Sequence, residues 1–446
     1  MGSSASNVKT ATSKNRAQWP DWFVPIALLD LEAVRKSFEQ LSEQQRAEHA
    51  LFRTNSFLEN ALHAALYCWR DSKLFLALAN GNQKEAQRLQ PSTESLLREK
   101  TISMVEFLLS PPNNFFKLQV HSQCERDSQS FSALHRALLI PDSECCITVV
   151  RLLLQHCEPS ELRRVVNDQI GELGGLQAWH TPLILAALHN SSARNFNSHP
   201  DAAATIIREL VESGASPKVE PGDVTLRTTT LQGLTALHAA AKRADIGALS
   251  ELLLTCKMPS DLRQITPQWA IEFKKSRPQP AQRHLHPSYE GRTALVDACQ
   301  YTADFKRALL AVRLLIEHGA DVDATTVMRT ETPLYIALQS RNVDLVVELV
   351  LRHKCLVQLP PSMEENKTSN AVIGGALYSS VYALARSCFN ENVRKGKRDL
   401  SSPNTPVEGL LFAVCKYFDS AAETQQAPFA GAKASVALMP RSILGC

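Results

Sequence analysis

Three groups of side chains in this 446-residue sequence could do chemistry by their type and spacing. Cys145, Cys146, His156 and Cys157 lie close along the chain, and thiolate and imidazole are the common ligands of zinc. Their spacing matches no standard zinc arrangement, and cysteine is often buried for packing alone, so no metal ligand is assigned. His63, His135 and His238 could act as general bases. Each, however, stands three residues after Asn60, Ser132 or Thr235 in one recurring phrase, which points to a repeated hydrogen bond in a turn. The third group is at the N-terminus. Met1-Gly2-Ser3-Ser4-Ala5-Ser6 fits the N-myristoylation pattern, in which the amine of Gly2 is acylated after removal of the initiator methionine. Lys9, Lys14 and Arg16 follow with no acid up to position 18, as in a disordered basic tether; the plainer reading is a flexible end. There is no Gly-rich phosphate loop, no His-Glu-x-x-His and no Gly-x-Ser-x-Gly, so no catalytic or cofactor-binding residue is assigned and the chain is expected not to be an enzyme.

The elements that hold these residues follow from self-similarity. Thr235-Ala-Leu-His-Ala-Ala-Ala241 recurs as Thr293-Ala-Leu-Val-Asp-Ala, Thr332-Pro-Leu-Tyr-Ile-Ala, Thr181-Pro-Leu-Ile-Leu-Ala-Ala, Ser132-Ala-Leu-His-Arg-Ala and Asn60-Ala-Leu-His-Ala-Ala. The leading Thr, Ser or Asn can accept a backbone N–H as a helix N-cap, and Pro182 and Pro333 suit the first helical position. The Leu two places on packs inward, and the alanines let a second helix come close. Apolar second helices follow: one each around Thr148–Leu154, Thr205–Val211, Ala248–Leu254, Ala311–Ile316 and Asp344–Val350. Gly214 and Gly319 stand at left-handed C-cap sites. The unit is helix, turn, helix, extended turn.

This unit resembles the ankyrin repeat, whose signature is Thr-Pro-Leu-His-x-Ala at a period of about 33 residues. Leu314-Leu-Ile-Glu-His-Gly-Ala-Asp-Val-Asp-Ala324 is similar to that family's second helix and following hairpin. The resemblance implies an all-α solenoid of stacked helix pairs with protein partners and no cofactor. The starts at 132, 181, 235, 293 and 332 are separated by 49, 54, 58 and 39 residues, so every unit carries an insertion. One lies around His189–His199 and another follows Cys256. If Gly81 closes the Asn60 unit, the next start falls near Thr93 with Met104–Leu109 as its second helix. Expected boundaries are a tether at 1–20, capping helices at 21–55 (Leu31–Phe38 among them), the array at 56–356, degenerate or capping helices at 357–420 (around Leu377–Cys388 and Pro406–Phe418), and a tail at 421–446.

The connection Pro259–Glu290 stands apart. Five prolines break it, but Thr266 and Pro267 could open a short helical turn with Trp269 and Phe273 on one face. Lys274, Lys275, Arg277 and Arg283 follow, making a basic stretch beside an aromatic pair. Either the aromatics cover a neighbouring repeat, or they form a finger for an acidic or phosphate-bearing partner.

Composition narrows the classes. A net charge of +3 gives no global nucleic-acid or membrane-coating character. Eleven cysteines without a Cys-x-x-Cys fit a reducing compartment, and the longest apolar stretch, Ala371–Ala385, is too short to span a bilayer. The expected function is a cytoplasmic adaptor or scaffold for protein partners, partly membrane-associated through Gly2. The alternatives are a nuclear or nucleic-acid-associated regulator using Lys274–Arg283 and Arg394–Arg398, or a ubiquitin-ligase substrate receptor.

Overall fold

The computed structural model describes residues 20, 22–52, 60–66, 94–111, 113–120, 131–170, 180–189, 201–217, 229–230, 233–264, 291–324, 332–340 and 342–353, with the strand pairs 372–373 and 376–377. The chain forms two compact units, Met1–Ala239 with Ser250–Met258 and Ala240–Leu249 with Pro259–Cys446.

The first unit opens with α1 (Phe23–Ala27), α2 (Leu31–Glu39) and α3 (Glu43–Leu51). Asp30 caps α2 by accepting the Ala33 N–H at 3.1 Å, and Ser42 with Gln45 makes a reciprocal capping box on α3. Buried Phe23, Ile26, Val34 and Phe38 form the core of these helices. Trp22 stacks on His49 at 4.3 Å between ring centroids and meets Phe23, Phe38 and Phe52 edge-on.

Then come α4 (Ala61–Ala65), α5 (Glu94–Leu109), the 3-10 helix Asn114–Gln119, α6 (Ala133–Ala137), α7 (Ser143–His156), α8 (Pro159–Val165), α9 (Pro182–Ala187) and α10 (Ala202–Glu212). The start expected near Thr93 is a helix start, but α5 runs unbroken to Leu109. Met104–Leu109 is therefore its second half and not a separate helix, because no Gly or Pro interrupts Glu94–Leu109. Helix α5 packs on both α4 and α7. The remaining packing repeats one scheme: α6 on α7, α9 on α10, and α7 on α10. The short α8 is an addition, started by Pro159 at its first position.

The unit boundary falls within the Thr235 repeat, which consists of α11 (Ala236–Lys242), α12 (Ile246–Ser250) and the π-helical turn Glu251–Thr255. In the second unit, β1 (Arg263–Gln264) pairs antiparallel with β2 (Arg292–Thr293). After it come α13 (Ala294–Cys299), α14 (Phe305–Glu317), α15 (Pro333–Gln339) and α16 (Val343–Val347), the last continued as a π-helical turn Glu348–Arg352. Helix α13 packs on α14 and α15, and α16 on α14 and α15. The two-residue strands β3 (Val372–Ile373) and β4 (Ala376–Leu377) pair with each other, so Leu377 begins no helix. The rest of the expected C-terminal helices, and Gly81, lie outside the described residues.

The phrase leucines Leu62, Leu134, Leu183, Leu237, Leu295 and Leu334 are all buried, as are the alanines that follow them. Truncating such a leucine typically costs about 2–5 kcal/mol. Gly214 and Gly319 have φ of 97° and 92°, the left-handed geometry that ends these helices cheaply only with glycine.

Candidate partner-binding surface

The phrase histidines are built into the stack. The Asn60 N–H donates to His63 Nδ1 at 3.3 Å, the His63 N–H donates to Asn60 Oδ1, and Nε2 reaches the Phe131 carbonyl at 2.8 Å. An Nδ1 that accepts leaves the proton on Nε2, which must then donate. His135 repeats the arrangement with Ser132 and the Asp168 carbonyl, 3.1 Å away. Its pKa is pushed down to about 4 because burial disfavours the imidazolium. In the Thr235 repeat, Thr235 Oγ1 lies 2.8 Å from His238 Nδ1. His63 and His135 thus tie a turn to more distant backbone, and a neutral donor fixed in this way is a scaffold group.

The second helices are joined by ion pairs. Within the first unit Arg98 meets Asp142 at 2.6 Å and also Glu144, Arg151 meets Glu209 at 2.6 Å, and Arg208 meets Glu251 at 2.6 Å. Within the second, Arg313 meets Glu348 at 2.7 Å. Each arginine reaches from one second helix to the next. The Arg208 guanidinium holds Glu251 below the usual carboxylate range. The equivalent slots Arg151, Arg208 and Arg313 each stand two residues before buried Leu153, Leu210 and Leu315, a spacing visible in the sequence.

Cys145 and Cys146 are buried on α7, with burial pushing both thiols well up, and burial raises Cys157 to about 11. Such thiols are poor ligands and nucleophiles at neutral pH. Among the described residues no cluster of His, Cys, Asp and Glu could hold a metal, and no helix is long and apolar enough to cross a membrane.

Of the residues the sequence singled out, Gly2, Trp269, Phe273, Lys274, Lys275, Arg277 and Arg283 lie outside the described residues. The root of their connection is described. Arg263 pairs with Thr293 and Gln264 with Arg292, and the Gly291 N–H donates to the Gln264 carbonyl at 2.7 Å. The excursion 265–290 therefore leaves and returns at one point, at the residue that caps α13: Thr293 Oγ1 accepts the Val296 N–H. This root is polar and closed. Arg292 is 4% exposed and Asp297 0%, with Nη1 and Oδ1 3.5 Å apart. Neither the Asp297 carboxylate nor the Gln264 amide has a hydrogen-bond partner among the described residues. Asp297 occupies the slot held by Ala64, Leu185, Ala239 and Ile336 in four repeats and by buried Arg136 in the Ser132 repeat, so a charge stands where most repeats place an apolar side chain.

Residues 290–327, the segment that starts at this root, match the ankyrin repeat family model. That match identifies an ankyrin repeat at 290–327, and a capped helix pair of the same kind recurs from Asn60 to Arg352. Among solved structures, the chain is similar to the human ASB11 ankyrin repeat domain at 19% identity, with 71% of this chain and 94% of that one covered and a TM-score of 0.39. It is similar also to the ankyrin repeat domain of Bcl-3, an IkappaB family member, at 21% identity, 65% and 89% coverage and a TM-score of 0.35. A third is the ankyrin repeat protein EF0377, at 15% identity, 57% and 90% coverage and a TM-score of 0.33. No curated protein sequence matches the chain.

Proposed function

We propose that the chain is a non-enzymatic, cytoplasmic adaptor that binds other proteins through the connection 259–290, with Trp269 and Phe273 as anchors and Lys274, Lys275, Arg277 and Arg283 as the charged rim. What supports this reading is the root described above: both ends of the excursion are tied to the cap of α13, so a long insertion is rooted at one point of the repeat. Aromatic anchors beside cations are the side chains that dominate interface energy. A myristoyl group on Gly2 would bring the adaptor to membranes only in part, since one chain anchors weakly and the three nearby bases add about 1 kcal/mol each at most.

Replacing Trp269 and Phe273 together by Ala tests the anchor role: thermal stability should change by less than about 1 kcal/mol while a captured partner is lost. A double variant that is markedly less stable yet keeps every partner would make these residues core cover instead. Metabolic labelling with an alkyne myristate tests Gly2, with Gly2→Ala as the control; an unlabelled parent ends the lipid reading.

A further inference from the structure

We propose that the outward face of α14 is a docking site for an acidic peptide carrying apolar anchors, an inference that rests on the protein-binding reading and names the chemistry of one partner. Helix α14 buries Ala308, Ala311, Val312 and Leu315 against its own unit. On the other side Leu310 keeps 50% of its surface, and Phe305, the first residue of the helix, keeps 42%. At helical spacing Lys306 and Arg307 lie one turn before Leu310 and half-buried Leu314 lies one turn after, so the exposed leucine sits between two cations and a second apolar side chain.

These cations differ from the arginines of the other second helices and from Arg313 on α14 itself. Arg98, Arg151, Arg208 and Arg313 are matched by carboxylates of a neighbouring helix. Lys306 and Arg307 make no ion pair among the described residues, and the one nearby acid, Asp304, is engaged through Oδ1 with their backbone N–H groups at 3.0 and 3.1 Å. The first turn of α14 contains no acid, so the two cations stand against the helix dipole. Lys306 and Arg307 are exposed and Phe305 and Leu310 keep 42% and 50% of their surface, so an external ligand can meet all four.

Charge and size select the occupant. A membrane would need a broad apolar face, and the broad apolar face of α14 is already buried in its unit. A nucleic-acid backbone needs a run of cations and would meet only Lys306 and Arg307, with nothing to contact Leu310; Glu317, two turns after Leu310, would keep the carboxylates of any anionic partner at the Lys306 end of the face. A peptide with Glu or Asp flanking Leu or Phe satisfies both parts: its carboxylates pair with Lys306 and Arg307, and its apolar side chains cover Leu310 and Phe305.

The probe is a fluorescein-labelled peptide of repeated Glu-Glu-Leu-Leu blocks, titrated with the full chain by fluorescence anisotropy. Lys306→Glu with Arg307→Glu, and separately Leu310→Ser, should each weaken binding about tenfold or more. Circular dichroism should show both variants folded, since all three side chains are exposed. Raised salt should weaken the parent, and a Gln-for-Glu peptide should bind poorly. Equal affinity for parent and both variants overturns the proposal, as does absence of peptide binding by the parent. Binding to vesicles of phosphatidylserine and phosphatidylcholine in place of the peptide also overturns it. If the peptide result is negative while cross-linking at the 259–290 connection still yields proteins, only the α14 inference fails; if cross-linking yields none, the adaptor reading fails on its own.

Discussion

Acid should unfold this protein partly through His135, and the size of the effect follows from its surroundings. The imidazole is fully buried between the Ser132 turn and the Asp168 carbonyl, and its pKa falls from 6.5 to about 4. Between those values the unfolded chain binds a proton at this site and the folded chain does not. Stability is therefore fully present above the unfolded value and is lost as pH falls from 6.5 towards 4, by about 1.4 kcal/mol per pH unit. At about pH 4.5 the loss at this site reaches about 2.5 kcal/mol. His135→Leu removes the titration and places in the slot a side chain like Ile184 or Val296, which fill it in other repeats. It also removes two buried hydrogen bonds, so at about pH 7.5 it should cost about 2 kcal/mol. Urea unfolding of parent and variant across this range should show the gap closing towards zero by about pH 4.5, with other titrating groups cancelling between the two proteins. A gap that stays constant with pH would mean that His135 takes up its proton as readily in the folded chain as in the unfolded one, and the tautomer argument would fail.

Two further outcomes test the packing. Ala240 is 0% exposed, so Ala240→Arg should cost several kcal/mol by overpacking and charge burial; thermal scans should lose cooperativity, and a variant as stable as the parent would displace α11 from the core. At the root of the connection, Asp297→Ala leaves Arg292 buried without its carboxylate and should cost about 3 kcal/mol in urea unfolding. Arg292→Met combined with Asp297→Leu should recover most of that loss, whereas a double variant worse than the single one would show that the ion pair itself is stabilising.

The repeat was legible because its signals are local. A cap, an inward Leu and a following Ala identify the first helix at Asn60, Ser132, Thr181, Thr235, Thr293 and Thr332, and each capping side chain accepts from the N–H three residues on. What local pattern could not reveal was pairing at a distance. Arg263–Gln264 and Arg292–Thr293 are short and polar and read as loop until they are seen to form a ladder across the intervening residues. A fixed period of about 33 residues divides α5 at the wrong place, because Glu94–Leu109 contains no helix breaker. The α14 face was missed because Lys306 and Arg307 read as an ordinary solvated turn; only the ion pairs made by the other second-helix arginines set them apart.

The adaptor reading is tested most directly by site-specific photo-cross-linking in cells, with a benzoyl-phenylalanine placed either at Lys274 or at exposed Gln155 on α7. The account predicts discrete protein adducts from position 274 and few from 155, where the face of the helix is occupied by inter-repeat ion pairs. Equal adducts from both positions, or none from 274, would contradict it.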